Sequence, residues 1–247
     1  MTRRAVAVGV FDGVHLGHRW VLDALRRAGR PRVVTFDPHP VAGTPLLTSV
    51  ERRVELLHEA GVEDTVVGPP GTSIDVSDAI LVTGPGSAAV NGAAEMLPVP
   101  LVPGVSSERI RQLIAAREIE AAAGMLARPF ELEGVVVEGD RRGRGLGFPT
   151  ANLQVATGLV VPPNGIYAGA ALGNRAAVSI GVNPHYGAPE RRIEAYLLDF
   201  DGDLYGELLR VELWRFLREE AAFPDENALV DQIGRDVEDV RSASRPV

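Results

Sequence analysis

The sequence predicts two folds joined in one chain: an α/β unit built on a parallel sheet, then an antiparallel β unit closed by a C-terminal helix. Three observations carry that prediction. Up to Ala127, short β-rich runs alternate with segments of helical periodicity, as βαβ units do. Beyond Ala127 the β-rich runs follow one another with only Gly, Pro, Asn and Asp between them, which is the texture of a barrel. Finally, Glu226 to Ala243 sets Leu229, Ile233, Val237 and Val240 along one helical stripe.

In chain order, Ala5–Val10, Val33–Phe36 and Ile80–Thr83 read as parallel strands, apolar enough to be buried on both faces. Between them, Arg19–Ala28 offers Val21, Leu22 and Leu25 on one stripe, and Glu51–Ala60 offers Val54, Leu56 and Leu57. Ser106 or Ser107 can cap a helix carrying Ile110, Leu113 and Ile114, and Glu118–Leu126 reads as its partner. The boundary falls near Arg128 and Pro129, giving domains 1–127 and 128–247. Strands are then expected at Phe130–Val137, Gly165–Leu172, Ala176–Val182, Ile193–Phe200 and Leu208–Leu217.

Composition narrows the function classes. The chain has 247 residues, 45% hydrophobic and 23% charged, which are ordinary globular values that allow two modest domains. No apolar run approaches the roughly 20 residues a membrane helix needs. The opening apolar stretch leads into Phe11 and Asp12 rather than a small-residue cleavage site, so no export signal is expected. Cysteine is absent, which excludes disulfides, thiolate nucleophiles and Cys-ligated zinc and fits a cytoplasmic setting. A net charge of −8 argues against a nucleic-acid partner. Every basic residue apart from histidine is Arg, so a phosphate clamp here must use guanidinium or backbone N–H groups.

The densest chemical signal is RRGRGLGFPTAN, Arg141 to Asn152. Gly143, Gly145 and Gly147 let backbone approach phosphate oxygens, and Arg144 adds charge. Thr150 and Asn152, after Pro149, supply neutral oxygens suited to a hard cation such as Mg²⁺. Taken by glycine content alone, the segment reads first as a Gly-rich hairpin with Asn in its turn. With its Leu146–Asn152 tail, LGFPTAN, it resembles the ATP and Mg²⁺ motif of bacterial riboflavin kinases. Gly165–Gly169 (GIYAG), Ile180–Gly187 (IGVNPHYG) and Glu194–Gly206 (EAYLLDFDGDLYG) follow in the order that family shows. The resemblance implies a six-stranded barrel with substrate sites at one end, ATP and Mg²⁺ bound by the glycine-rich segment, and Glu194 as general base toward riboflavin. Without it, Glu194 would read as a solvated strand residue. Asp199, Asp201 and Asp203 resemble the start of an EF-hand but depart from its pattern, and read as a turn. Arg215 and Arg218 with Phe216 and Phe223 fall where the family builds part of its flavin-side wall. His185 stands where the family usually has Thr.

At the other end, GVFDGVHLGH (Gly9 to His18) runs from a strand into a helix, aiming backbone N–H groups at an anion, with His15 and His18 as donors to phosphate oxygens. As isolated features, two histidines three apart are also compatible with a metal pair or helix caps. Together with Thr35–Pro40 (TFDPHP), the segment resembles the nucleotidyltransferase domain of bifunctional bacterial FAD synthetases. That resemblance assigns ATP contacts to Gly9, Phe11, Asp12, Ser107, Arg109 and Arg111, and adenylyl transfer to His15 and His18. Ser106–Arg111 (SSERIR) matches the later phosphate-binding signature, with Glu108 in place of the usual Thr. Between Val66 and Pro103 the family's longer helix-containing stretch and GxNFRFG-like loop are replaced by ILVTGPGSAAVNGAAEML.

The expectation is therefore a cytoplasmic flavin-coenzyme enzyme, a monomer or weak homo-oligomer. It would make FMN from riboflavin and ATP, and FAD from FMN and ATP, with neither nucleic acid nor membrane as partner. Two alternatives stay open: a riboflavin kinase carrying a degenerate N-terminal domain, and a non-enzymatic flavin- or nucleotide-sensing protein.

Overall fold

The computed structural model describes residues 3–84, 90, 92–139, 147–183 and 190–247. The chain divides into two compact units, Met1–Ile110 with Gly158–Val160, and Arg111–Thr157 with Val161–Val247.

In the first unit, β1 (Arg4–Val8), β2 (Arg30–Phe36), β3 (Asp64–Gly68), β4 (Ala79–Thr83) and β5 (Glu95–Pro98) form a parallel sheet in the order β3-β2-β1-β4-β5. Helix α1 (Leu16–Ala28) and helix α2 (Val50–Glu59) cover one face, with Val21, Leu22, Leu25, Leu56 and Leu57 against Ala5, Ala7 and Val33. On α2 the buried stripe is Arg53, Leu56 and Leu57, and Val54 lies only half inside. The second face buries Val6, Val8, Val34 and Leu81, and its described cover is Ile74, Val76, Val90 and Ala93, from segments with no described helix. That is an unusual way to cover a parallel sheet, whose crossovers normally carry helices. It coincides with the stretch that the sequence marks as abbreviated. At the edge, β5 is exposed along its length, with Met96 at 61% exposure and Pro98 at its end. Strands β3 and β5 lack a clear sequence signal because edge strands need no continuous apolar run.

The second unit opens with α3 (Ser107–Ala115), whose first residues belong to the first unit, and α4 (Ile119–Leu126). Ser106 Oγ accepts the Arg109 amide at 3.1 Å, capping α3. A closed barrel follows, β10-β7-β6-β11-β8-β9, from β6 (Phe130–Val137), β7 (Ala151–Val155), β8 (Gly165–Ala171), β9 (Asn174–Asn183), β10 (Glu190–Leu197) and β11 (Leu208–Arg218). The pairing carries one continuous inner face: Phe130 opposite Leu213, Leu132 opposite Val211, Val178 opposite Ala195, and Ile180 opposite Ile193. Strand β7 holds Ala151 to Val155, inside and just beyond the motif whose glycines suggest only a turn.

A terminal helix, α5 (Glu226–Ser242), packs Val237 and Val240 against the barrel with Ala168 and Trp214. Asp225 accepts the Ala228 amide at 2.8 Å to start it, and Arg175 donates to the carbonyls of Val240 and Ala243 at its end. The most buried charge on α5 is Asp236, at 4% exposure. Arg218 meets it with two parallel bonds, Nε to Oδ1 at 2.8 Å and Nη2 to Oδ2 at 2.6 Å. A residue expected in a flavin-side wall thus has its guanidinium committed to holding the helix.

The GIYAG segment is explained by packing. A Cβ on Gly169 would lie 1.9 Å from the Glu212 carbonyl oxygen, and one on Gly165 would lie 2.5 Å from the Phe216 ring. Strand β8 can approach β11 only with glycine at these positions. Gly169→Ala is expected to lower the barrel's stability by about 3 kcal/mol, the upper end of overpacking costs. The readout is the urea midpoint, and a midpoint matching wild type would show that the strands separate without penalty.

Candidate functional site

In the barrel, sheet register decides which side chains meet. Glu194 on β10 lies directly opposite Asn152 on β7, and Ala195 opposite Ala151. Residues directly opposite one another point to the same face, with Cβ atoms about 5 Å apart. Thr150, two residues before Asn152, continues that face, and Phe148 packs edge-on against Tyr196 with ring centroids 5.4 Å apart. The chain from Phe148 to Asn152 thus runs alongside Tyr196 to Glu194. On the other side of β10, Ser179 of β9 stands opposite Glu194. Arg192, two residues before Glu194 on the same face, brings its Nη1 to 3.6 Å from the carboxylate.

A cleft of about 360 Å³ adjoins this row. Its wall includes Thr150 and Asn152, the inward-facing Val136, Ala195 and Leu197, and the loop from Phe200 to Tyr205. Asn152 belongs to both the cleft and the Glu194 row, while Glu194 does not line the cleft: it points to the other face of β10 from Ala195 and Leu197, which do. A Cβ on Gly139 would lie 2.3 Å from the Asn152 amide nitrogen, so glycine there gives that amide its space. Asp201 and Asp203 of this loop both line the cleft, Asp203 accepting the Tyr205 amide at 3.1 Å, and Asp199 just before it pairs with Arg241 at 3.2 Å. No group of three or more His, Cys, Asp or Glu among the described residues could hold a metal ion. Gly143, Arg144, Gly145 and His185 lie outside the described residues. Gly147 is described, with φ of +87°, as is Pro149, on the cleft wall.

Phe216, expected in a flavin-side wall, packs edge-on against Tyr167 at 5.3 Å and lies under the Arg117 guanidinium at 4.9 Å. Phe223 lies under Arg218 at 5.9 Å. Arg215 is exposed on β11.

The α/β unit assembles a second constellation. From Gly9, β1 passes through Phe11, in left-handed conformation at φ of 52°, into a short 3-10 turn at Asp12–Val14 and then α1. His15 caps α1 by accepting the His18 amide on Nδ1 at 3.3 Å. A nitrogen that accepts carries no proton, so neutral His15 presents its N–H at Nε2. The His15 and His18 rings stack at 3.7 Å, and Phe11 lies 5.1 Å from His18. Asp12, 1% exposed, accepts the Leu47 amide at 2.8 Å, so its carboxylate anchors the loop before α2. Ser107 Oγ donates to the Asp12 carbonyl at 2.9 Å, which brings the start of α3 to the same turn. Arg109 is exposed and Arg111 half-buried.

The comparisons with known proteins follow this division. A riboflavin kinase family model matches residues 126–244, and an FAD synthetase family model matches residues 1–70. A bifunctional riboflavin kinase/FMN adenylyltransferase from Listeria monocytogenes is 30% identical, over 97% of this chain and 92% of its own length. The chain belongs to the bifunctional riboflavin kinase/FMN adenylyltransferase family. Members from Bacillus subtilis and Escherichia coli K12 are 28% and 29% identical, over 95% and 94% of this chain and 90% of each relative. A Streptococcus pneumoniae crystal structure, described as a macrolide-efflux protein, superposes with a TM-score of 0.84 at 30% identity, covering 98% of this chain and 95% of that one. No helix among the described residues of this chain is long and apolar enough to cross a membrane. The Listeria alignment runs over 288 residues against 247 here, so more than forty of its positions face gaps in this family member.

Two residues at these sites escape sequence reasoning. Ser179 lies in a strand whose other letters already explain it, and only register reveals its neighbour. Arg53 reads as an exposed helix charge but is wholly buried.

Burial holds the His18 imidazole well below its usual 6.5, with repulsion from His15 and Arg53 adding to the effect. Folding therefore lowers this pKa, and between the folded and unfolded values only the unfolded chain takes up the proton. The α/β unit should lose stability as pH falls through about 6.5, and go on losing it until the folded value is passed. His18→Asn should flatten the dependence between about pH 7.5 and about pH 5.5 in thermal melts. Equal slopes in both proteins would remove His18 as the cause.

Proposed function

We propose that this chain is a flavin-coenzyme enzyme with two activities, divided functionally at residues 127/128. The barrel transfers the γ-phosphoryl group of ATP to the 5′-hydroxyl of riboflavin, giving FMN. The α/β unit joins AMP from a second ATP to FMN, giving FAD. The observation that carries the first activity is the pairing of Glu194 with Asn152 beside a cleft that Thr150 also lines. That family relatives are named for both activities supports the whole.

The chemistry suits the residues. A primary hydroxyl is a weak nucleophile near neutral pH, and Glu194 accepts its proton as the oxygen attacks the γ-phosphorus. Arg192 holds the carboxylate on the Asn152 face. The cleft falls within the volume range of small-molecule sites. Two neutral oxygens, with no group of three or more His, Cys, Asp or Glu among the described residues placed to hold an ion, suit Mg²⁺ that arrives shared with ATP. When bound, that ion neutralises charge on the phosphates. Gly143, Arg144, Gly145 and Gly147 complete the phosphate contacts in this proposal.

In the α/β unit, His15 donates from Nε2 and His18 stands against it, so the pair can bind phosphate oxygens while the FMN phosphate displaces pyrophosphate. Gly9, Phe11 and the start of α3, with Ser107, Arg109 and Arg111, frame the nucleotide. One observation favours a second reading, a kinase with a decayed α/β unit: the FAD synthetase match ends at residue 70, where the abbreviated stretch begins. We assign the protein to the cytoplasm, as a monomer or weak homo-oligomer.

Purified protein incubated with ATP, Mg²⁺ and either riboflavin or FMN, followed by product separation, tests both activities. FMN is expected from the first mixture and FAD from the second. FMN without FAD selects the kinase-only reading, and no turnover in either mixture removes the enzyme reading. Glu194→Gln should retain flavin and nucleotide binding while cutting the kinase kcat by roughly 10² to 10⁴. Near-normal turnover would strip Glu194 of its role.

A further inference from the structure

The proposed chemistry leaves the buried guanidinium of the α/β unit unused. Arg53 has no exposed surface and sits on the α2 face that also buries Leu56 and Leu57. Its Nη1 donates to the Val10 carbonyl at 3.2 Å, the Thr35 hydroxyl at 3.2 Å and the Phe36 carbonyl at 2.8 Å. Thr35 in turn donates to the Val10 carbonyl at 2.7 Å, closing a triangle. Val10 lies within the segment that leads to His15 and His18, and Phe36 lies within TFDPHP just before Asp37 and Pro38. One guanidinium therefore ties together the two segments from which the nucleotide site is built.

This arrangement costs more than packing requires. Nε and Nη2 are buried with no hydrogen-bond partner among the described residues. A buried unsatisfied donor is unfavourable, and an apolar side chain usually fills such a position at equal or better stability. Asp12, Asp37 and Glu51 supply counter-charge, while burial acts against the cation. A side chain without exposure cannot touch substrate, so any part it plays in the reaction passes through the groups it holds.

We propose that Arg53 is the positioning residue of the adenylyl-transfer site, fixing the His15–His18 pair against the Asp37–Pro40 loop through the carbonyls of Val10 and Phe36. The inference rests on the adenylyltransferase reading of this unit, and its test separates the two. Full-length wild type, Arg53→Met, Arg53→Lys and Thr35→Val are compared by two readouts. The first is FAD formation from FMN and ATP, with kcat and KM resolved. The second is the NMR positions of the His15 and His18 ring protons, which rings stacked at 3.7 Å displace from ordinary values. FMN formation from riboflavin in the same samples controls for protein quality, because the barrel does not contain Arg53.

Arg53→Met should lower the FAD-forming kcat by about 10², leave the KM for ATP within about threefold, and move the histidine signals. Arg53→Lys should return both readouts most of the way, since it restores a cation and a donor. If Arg53→Met fails to fold, Thr35→Val keeps the charge, opens the triangle, and should still lower kcat by about tenfold and shift the signals. Histidine signals unchanged in a folded Arg53→Met, or in Thr35→Val when that variant stands in, would overturn the proposal, as would FAD formation by that variant at the wild-type rate. Should wild type make no FAD, the adenylyltransferase reading falls by that result, and the histidine signals still decide whether Arg53 positions the pair.

Discussion

The barrel's function hangs on the register between β7 and β10. Side chains alternate across a strand, so a slip of one residue would send Asn152 or Glu194 to the other face of the wall and separate them. The register is held by the inner face, where Leu153, Ala195 and Ile193 belong to one continuous apolar lining. Hydrophobic burial, which has no chemical specificity, thereby aligns two polar residues that do. Gly139 serves the same alignment by leaving room for the Asn152 amide.

The strands with strict alternation are legible because period-two burial is written directly into the letters: β6 follows its predicted limits, Phe130–Val137. Strand β7 is hidden because the motif around it is rich in turn residues, and its pairing partners are distant in sequence. The same limit applies to Ser179, whose position opposite Glu194 depends on how β9 and β10 pair. Glu194 itself emerges only through a family resemblance, since a glutamate on a strand carries no local mark of chemistry.

Charged residues expose a different limit. A hydrophobic stripe assigns Arg53 and Asp236 to solvent by their type, yet both lie inside, on the faces of α2 and α5 that pack. Asp236 is matched by the two-pronged contact with Arg218, and Arg53 by carbonyls at two strand ends. Neither partner set can be inferred before the fold brings it together. Periodicity locates a helix and its rotation well, but the charges that fix the helix in place remain invisible to it.

The outermost strand of the parallel sheet has a consequence for how this shortened unit stays intact. Strand β5 presents Met96 to solvent and, among the described residues, is the outermost strand of its sheet, the kind of border on which an extended segment from another molecule can lay itself down. Glu95 opens that border with a charge, while Pro98 at its end and Pro100 just beyond remove two amide donors. With no described helix on one flank of the sheet, these few residues are what the border itself offers against templated growth.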